Sequence, residues 1–292
     1  MSPAHRWTLT AAWSFTEIVP GIPISAVRND MANRLTGRTV LVTGAGQGMG
    51  AGIARGLAVE GANVSVGDIN VDAAEAVTKR LREDGLAAMS VGMDVTDRDS
   101  VRAAVAATVA EFGRLDAMFN NAGLNKPLQF LDVTEDNWNQ IMDVNALGVL
   151  IGVQEAAKQM IAQGGGGKIV NTASIAGRQG YAQFAPYSAS KFAVVALTQA
   201  AARALAEHHI TVNAFSPGVV DTPLWTQLDK DLVDIKASEK EGDAFASFAS
   251  GALLGRAATV ADIVPTAVFL AAPDSDFVTG QVMAIDGGMV LV

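Results

Sequence analysis

The sequence predicts an α/β protein with one domain, built on a doubly wound parallel sheet with helices on both faces. Three observations predict it. Short apolar, β-branched runs alternate along the chain with stretches of helical period. The first run, Thr39-Val40-Leu41-Val42, ends in Thr43-Gly44-Ala45-Gly46-Gln47-Gly48-Met49-Gly50, and Ile53 and Leu57 continue it at helical spacing. The composition, 292 residues of which 50% are hydrophobic and 17% charged, supplies a large core. No Pro-rich, Ser-rich or charge-block linker interrupts the regular region, so residues 31–292 read as a single domain.

Residues 1–30 lack a strand or helix period, and lack the apolar core and small-residue cleavage pattern of a signal peptide. They read as a mobile leader, native or not, ahead of a domain that opens at Met31, and the expected location is the cytoplasm. No apolar run reaches membrane-spanning length. A net charge of -9 without basic runs argues against nucleic acid and anionic membranes as partners. With no cysteine, disulfides and thiolate sites are excluded. His208 and His209 are helix neighbours that point apart, so no shared metal is expected.

The strand, glycine turn and helix at 39–57 suit a pyrophosphate, because glycines let the backbone approach closely and a helix N-terminus offers N–H donors. The spacing is T-G-x-x-x-G-x-G, which makes Gly44, Gly48 and Gly50 the candidates. Such turns also serve purely structural connections. The second strand, 62–67, runs into Asp68, where an acid would accept bonds from an adenosine ribose and repel a 2'-phosphate. Gln47 and Ile69 bring no compensating cation, so NAD is favoured over NADP; the plain alternative is that Asp68 caps the next helix.

Residues 71–84 read as a helix with Ala73, Val77 and Leu81 inward, followed by a strand at 88–93 and Asp94-Val95. Asp97 caps a helix carrying Val101, Val105, Val109 and Phe112. A strand at 115–119 then leads to the turn Asn120-Asn121-Ala122-Gly123. A long helix is expected over 134–162, and it holds Asn145, an amide in an apolar stretch that serves either structure or a site. The strand from Lys168 delivers Ser174, a residue type that often forms turns. Next comes a helix with Tyr187 and Lys191 four residues apart, hence on one face. A phenol ordinarily loses its proton only at a pH of about 10, so it needs a fixed positive charge to act as a base at neutral pH, and Lys191 can supply it. A strand at 210–215 and the turn Pro217-Gly218 follow. Residues 219–255 read as a long irregular lid, before a helix opened by Thr259 and Asp262 and a final strand and turn from Gly280.

Together, Thr43 to Gly50, Asn120 to Gly123, Asn145, Ser174, Tyr187 to Lys191 and Pro217-Gly218 resemble the short-chain dehydrogenase/reductase family, over roughly residues 35–292. The resemblance implies a Rossmann-type fold and reversible hydride transfer between a nicotinamide cofactor and a carbonyl or secondary alcohol. It implies Tyr187 as general acid/base, Ser174 as the donor that polarises the carbonyl, Lys191 as the cation that lowers the Tyr187 pKa, and Asn145 as holder of a proton-relay water. It also implies pyrophosphate contacts at Gly44 and at Gln47 to Gly50, ribose contacts at Asp68 and Ile69, and adenine contacts at Asp94 and Val95. Asn121, Ala122 and Gly123 would run along the cofactor, and Pro217, Gly218, Val220 and Thr222 would form the segment at the carboxamide. A homotetramer is expected, with the helices at 134 and 187 as partner faces.

For the substrate, the segments around Tyr187, Pro217 and Ile285-Asp-Gly-Gly-Met are similar to family members acting on acetoin, butanediol and sugar alcohols. Asn125, Ile175, Gln179, Tyr181 and Trp225 are the expected pocket formers. The nearest alternative is a 3-oxoacyl-thioester reductase, against which Asp68 counts, and an alternative of another class is a nicotinamide-binding module without turnover.

Overall fold

The computed structural model describes residues 33–291. The expectation for residues 1–30 lies outside them. Seven parallel strands form one sheet: β1 (Thr39–Thr43), β2 (Asn63–Asp68), β3 (Ala88–Gly92), β4 (Ala117–Asn120), β5 (Gly167–Thr172), β6 (Ile210–Pro217) and β7 (Val282–Ile285), in the order β3-β2-β1-β4-β5-β6-β7. The order reverses between β1 and β4, and that crevice is where the carboxyl ends of a doubly wound sheet bind ligands.

The helices are α1 (Gly48–Val59), α2 (Val71–Glu83), α3 (Arg98–Phe112), α4 (Glu135–Met142), α5 (Gly148–Gln163), α6 (Ala185–Leu205), α7 (Pro223–Asp234), α8 (Asp243–Ser250) and α9 (Val260–Ala271). Alternation along β1 shows how they share the sheet. Val40 and Val42 point to one face, against Ile53 and Leu57 of α1 and Ile263 and Leu270 of α9. Leu41 points to the other, with Val101 and Val105 of α3, Val153 and Met160 of α5 and Val194 of α6. Caps fix the helix starts: Asn70 accepts from Ala73 N–H, Asp97 from Asp99 N–H and Thr134 from Asn137 N–H, while Thr259 and Asp262 close a capping box on α9.

Three expectations are corrected. On α2 Leu81 is buried and Val77 packs against the core as expected, but the other inward positions are Ala74 and Thr78 rather than the half-buried Ala73. The long helix at 134 is interrupted by a π turn, Asp143–Leu147, in which Gly148 N–H reaches back to Asp143 O. The lid is largely helical. Pro223 starts α7, which buries Leu228 and Leu232, and the buried Asp229 carboxylate accepts from Gly242 N–H and from Phe245 N–H (3.0 Å), so α7 caps α8. Among the described residues no helix is long and apolar enough to cross a membrane.

Candidate active site

A cleft of about 550 Å³ opens over the carboxyl ends of the strands. Gly44, Gln47, Gly48, Met49 and Gly50 line one end. Gly44 adopts a left-handed φ of 61°, and a side chain on Gly50 would collide with Gly44 O and Asn121 Nδ2, so the turn tolerates no Cβ there. Gln47 makes no side-chain capping bond to α1, which leaves the first-turn donors of that helix without a cap at the cleft. Asp68, at the end of β2, accepts from Gly46 N–H (2.8 Å) and Asn70 N–H (2.9 Å) and lines the cleft beside the exposed Ile69.

Asp94 and Val95 line the same end, with the Asp94 carboxylate held by Thr96 N–H (2.9 Å) and Oγ–H (2.7 Å). Asn121, Ala122 and Gly123 continue the wall. The N–H groups of Asn121 and Ala122 both donate to Thr43 Oγ1 (3.0 and 2.9 Å), which ties this turn to the end of β1. Opposite lie Pro217, Gly218, Val220 and Thr222 from the end of β6 and the start of the lid.

Ser174 and Tyr187 both line the cleft, and the Ser174 hydroxyl, which accepts from Ala176 N–H (3.2 Å), is close enough to the Tyr187 phenol to favour its ionised form. Burial pushes the phenol up from its ordinary 10.0, and the neighbouring Ser174 hydroxyl works against that rise. Lys191 lies behind the lining. Its Nζ donates to Thr172 O (2.7 Å) and sits 5.5 Å from the Tyr187 ring centroid, and burial lowers it from 10.5 to about 8. In the chain alone the phenol is therefore raised, where the sequence reading expected a lowering by Lys191. Asn145 is also behind the lining and fully buried in the π turn: its Oδ1 accepts from Leu124 N–H (2.9 Å), and its Nδ2 donates to Leu124 O (2.8 Å) and Ser190 Oγ (3.1 Å).

Of the expected pocket formers, Trp225 lines the cleft, packed edge-on against Phe245 and tilted against Phe248 of the lid. Asn125, Ile175, Gln179 and Tyr181 are outside the lining. Ile175 is buried in the turn after β5, Gln179 bonds the Tyr181 hydroxyl (2.6 Å), and Tyr181 packs its ring on Phe184 and Phe248. The sequence reading also missed residues that do line the cleft. Thr96 was signalled by the Asp-x-Thr turn and Leu224 by its spacing to Leu228 and Leu232, whereas nothing local marked Gln140 or Val144.

Comparison with known proteins agrees with this geometry. The sequence profile described as short chain dehydrogenase matches residues 38–233. The chain is 40% identical over 253 residues to a diacetyl reductase [(S)-acetoin forming] of Staphylococcus epidermidis, covering 87% of this chain and 98% of that one. It is 40% identical over 256 residues to an L-2,3-butanediol dehydrogenase of Corynebacterium glutamicum, with the same coverage of each. A solved short-chain type dehydrogenase/reductase from Mycobacterium marinum superposes with a TM-score of 0.81 at 34% identity, over 88% of this chain and 97% of the other. With a doubly wound sheet, a glycine turn at its crevice and Ser174 and Tyr187 lining one cleft beside the buried Lys191, the chain belongs to the short chain dehydrogenase family.

Proposed function

We propose that this protein is an NAD-dependent oxidoreductase that interconverts a small secondary alcohol, of the diol, acetoin or sugar-alcohol type, and its ketone. The observation that carries the proposal is that Ser174 and Tyr187 line one cleft with the glycine turn, and that Lys191 Nζ lies 5.5 Å from the Tyr187 ring centroid behind them. The residues present suit a nicotinamide dinucleotide. Uncapped donors at Gly48 to Gly50 suit its pyrophosphate, Asp68 its adenosine ribose, Asp94 and Val95 its adenine, and Asn121 to Gly123 its length. Val220 and Thr222 are assigned to the carboxamide and Lys191 to the second ribose. When bound, the cofactor gives or takes the hydride.

In the reductive direction Tyr187 delivers its proton to the carbonyl oxygen while Ser174 donates a second hydrogen bond to it, so both hydroxyls act on the charge that grows in the transition state. Lys191 holds positive charge beneath the phenol and steadies the phenolate left behind. Asn145 has both amide donors and its oxygen bonded within the chain, so it contributes as a clamp on Leu124 rather than through a water held on its side chain. NAD is preferred because Asp68, assigned to the adenosine ribose, would repel a 2'-phosphate, and no Lys or Arg is among the residues lining the cleft. The substrate is small because Tyr187 shares one cleft of about 550 Å³ with the cofactor-binding residues as well as with Trp225, Leu224, Val144 and Gln140, and the named relatives are a diacetyl reductase and a butanediol dehydrogenase, which act on four-carbon compounds of this kind. A cytoplasmic homotetramer completes the reading, checked by gel filtration of the full chain.

The test follows nicotinamide absorbance with NADH and NADPH in parallel against diacetyl, acetoin and a 3-oxoacyl thioester, and with NAD against 2,3-butanediol and sugar alcohols. Turnover of the small ketones with NADH is expected. Turnover of the thioester with NADPH alone would overturn both the substrate and the cofactor preference, and no turnover of any pair would leave only cofactor binding.

A further inference from the structure

The pentapeptide Tyr187-Ser-Ala-Ser-Lys191 contains two serines to which the reaction gives no part, and one of them is fully buried. Ser190 Oγ donates to Tyr187 O (2.7 Å), the peptide oxygen of the acid/base residue itself, and accepts from Asn145 Nδ2 (3.1 Å). In an α-helix the Tyr187 carbonyl is also the acceptor for the N–H of Lys191. The hydroxyl thus sits on the peptide group that joins the backbones of the two residues assigned to the chemistry. Beyond Asn145 the chain of bonds continues, since the amide grips Leu124 through both N–H and C=O. Gly123 abuts the same point: a Cβ there would lie 3.2 Å from Asn145 Oδ1 and 3.7 Å from Lys191 Nζ. Three separate elements, the turn after β4, the π turn and the first turns of α6, are thus joined through the Asn145 amide, with the Ser190 hydroxyl as its link to α6.

We infer that Ser190 is a positioning residue for Tyr187: it fixes the first turn of α6 against the Asn145 clamp, and so keeps the phenol in place beside Ser174 at the cleft. This rests on the function proposed above. A serine bonded to its own helix is commonplace, but here the same oxygen also receives a donor from another element, and that donor is the side chain that anchors the cofactor wall. Removing the hydroxyl frees the Tyr187 end of α6 to shift relative to Ser174, while Lys191 stays anchored on Thr172 O.

The test compares Ser190→Ala with wild type in NADH-dependent reduction of diacetyl. The expected result is a fall in kcat of about 10-fold, in the range of ~1.4 kcal/mol of transition-state stabilisation, with the KM for NADH unchanged. The double variant with Asn145→Ala should be no slower than Asn145→Ala alone, because both changes break one linkage. A second readout needs no substrate. The chain has two tyrosines, so in a Tyr181→Phe background phenolate absorbance reports Tyr187 alone. Ser190→Ala should move that titration upward as the Ser174 donor is lost. A kcat within two-fold of wild type with an unmoved titration would reduce Ser190 to a structural residue, as would losses that multiply in the double variant. Should Ser190→Ala not fold, Ser190→Cys, with a weak donor of similar shape, carries the same comparison. Wild type that turns over neither ketone would defeat the proposed function, and the phenolate titration would then decide on Ser190 by itself.

Discussion

Two lysines are buried at opposite ends of strand β5, and the chain holds them differently. Lys168, near the start of the strand, donates to Ser275 Oγ (3.1 Å) and pairs with the Asp276 carboxylate (2.8 Å). Lys191 comes from α6 to the other end of the strand and donates to Thr172 O (2.7 Å), and no ion pair with a carboxylate forms among the described residues. They are 5% and 3% exposed, so burial does not separate them. The difference lies in compensation. Where the strands begin, the cation is matched by an anion and fastens the connection between α9 and β7; where they finish, it is left with a neutral partner under the Tyr187 ring. An unmatched buried charge is unfavourable for folding, and it persists where chemistry uses it.

The contrast is sharpened first by removing the phenol that Lys191 serves. Tyr187→Phe should reduce turnover by about 10³-fold, with NADH binding, followed by its fluorescence, nearly unchanged; a variant of normal turnover would take the acid/base role from Tyr187. A smaller effect is expected at the adenosine end. Asp68→Ala combined with Ile69→Arg should move the ratio of NAD to NADP efficiency by about 10²-fold, roughly 2.7 kcal/mol. An unmoved ratio would place Asp68 away from the ribose. The smallest effect is expected at the matched lysine. Lys168→Met should lower the stability by about 1 kcal/mol, seen as a lower Tm, and leave turnover per folded molecule intact. Loss of turnover there would erase the distinction between the two strand ends.

Much of this was legible in the sequence, for physical reasons that differ by region. The strands were plain because a buried parallel strand must be apolar on both faces, as Thr39–Thr43 is, and because glycines close it where the backbone turns sharply. Tyr187 and Lys191 were legible because one helical face carries both. The helices of the lid were hidden by alanines and mixed charges at 235–250, although Pro223 followed by Leu224, Leu228 and Leu232 was a helix signal in plain view. On α2 Val77 and Leu81 were legible as inward, but Thr78, a polar residue by type, and Ala74 in place of Ala73 were not. Asn145 and Ser190 could not be paired from the sequence, since the bond between them joins residues 45 positions apart. The expected lowering of Tyr187 by Lys191 omitted burial, which raises the phenol and lowers the ammonium together.

The measurement that bears most directly on the account is the pH dependence of stability in Lys191→Met, taken beside its turnover. Lys191 is lowered from 10.5 to about 8 by burial, so between these values the unfolded chain binds a proton that the folded chain does not. Wild type therefore gains stability as pH rises from about 8 to 10.5, and at pH 7 it carries the full penalty, on the order of 3 kcal/mol. The account predicts that Lys191→Met melts above wild type at pH 7, that the gap closes as pH approaches 10.5, and that turnover is nearly lost. A variant that melts below wild type at pH 7 and still turns over diacetyl at a normal rate would contradict it.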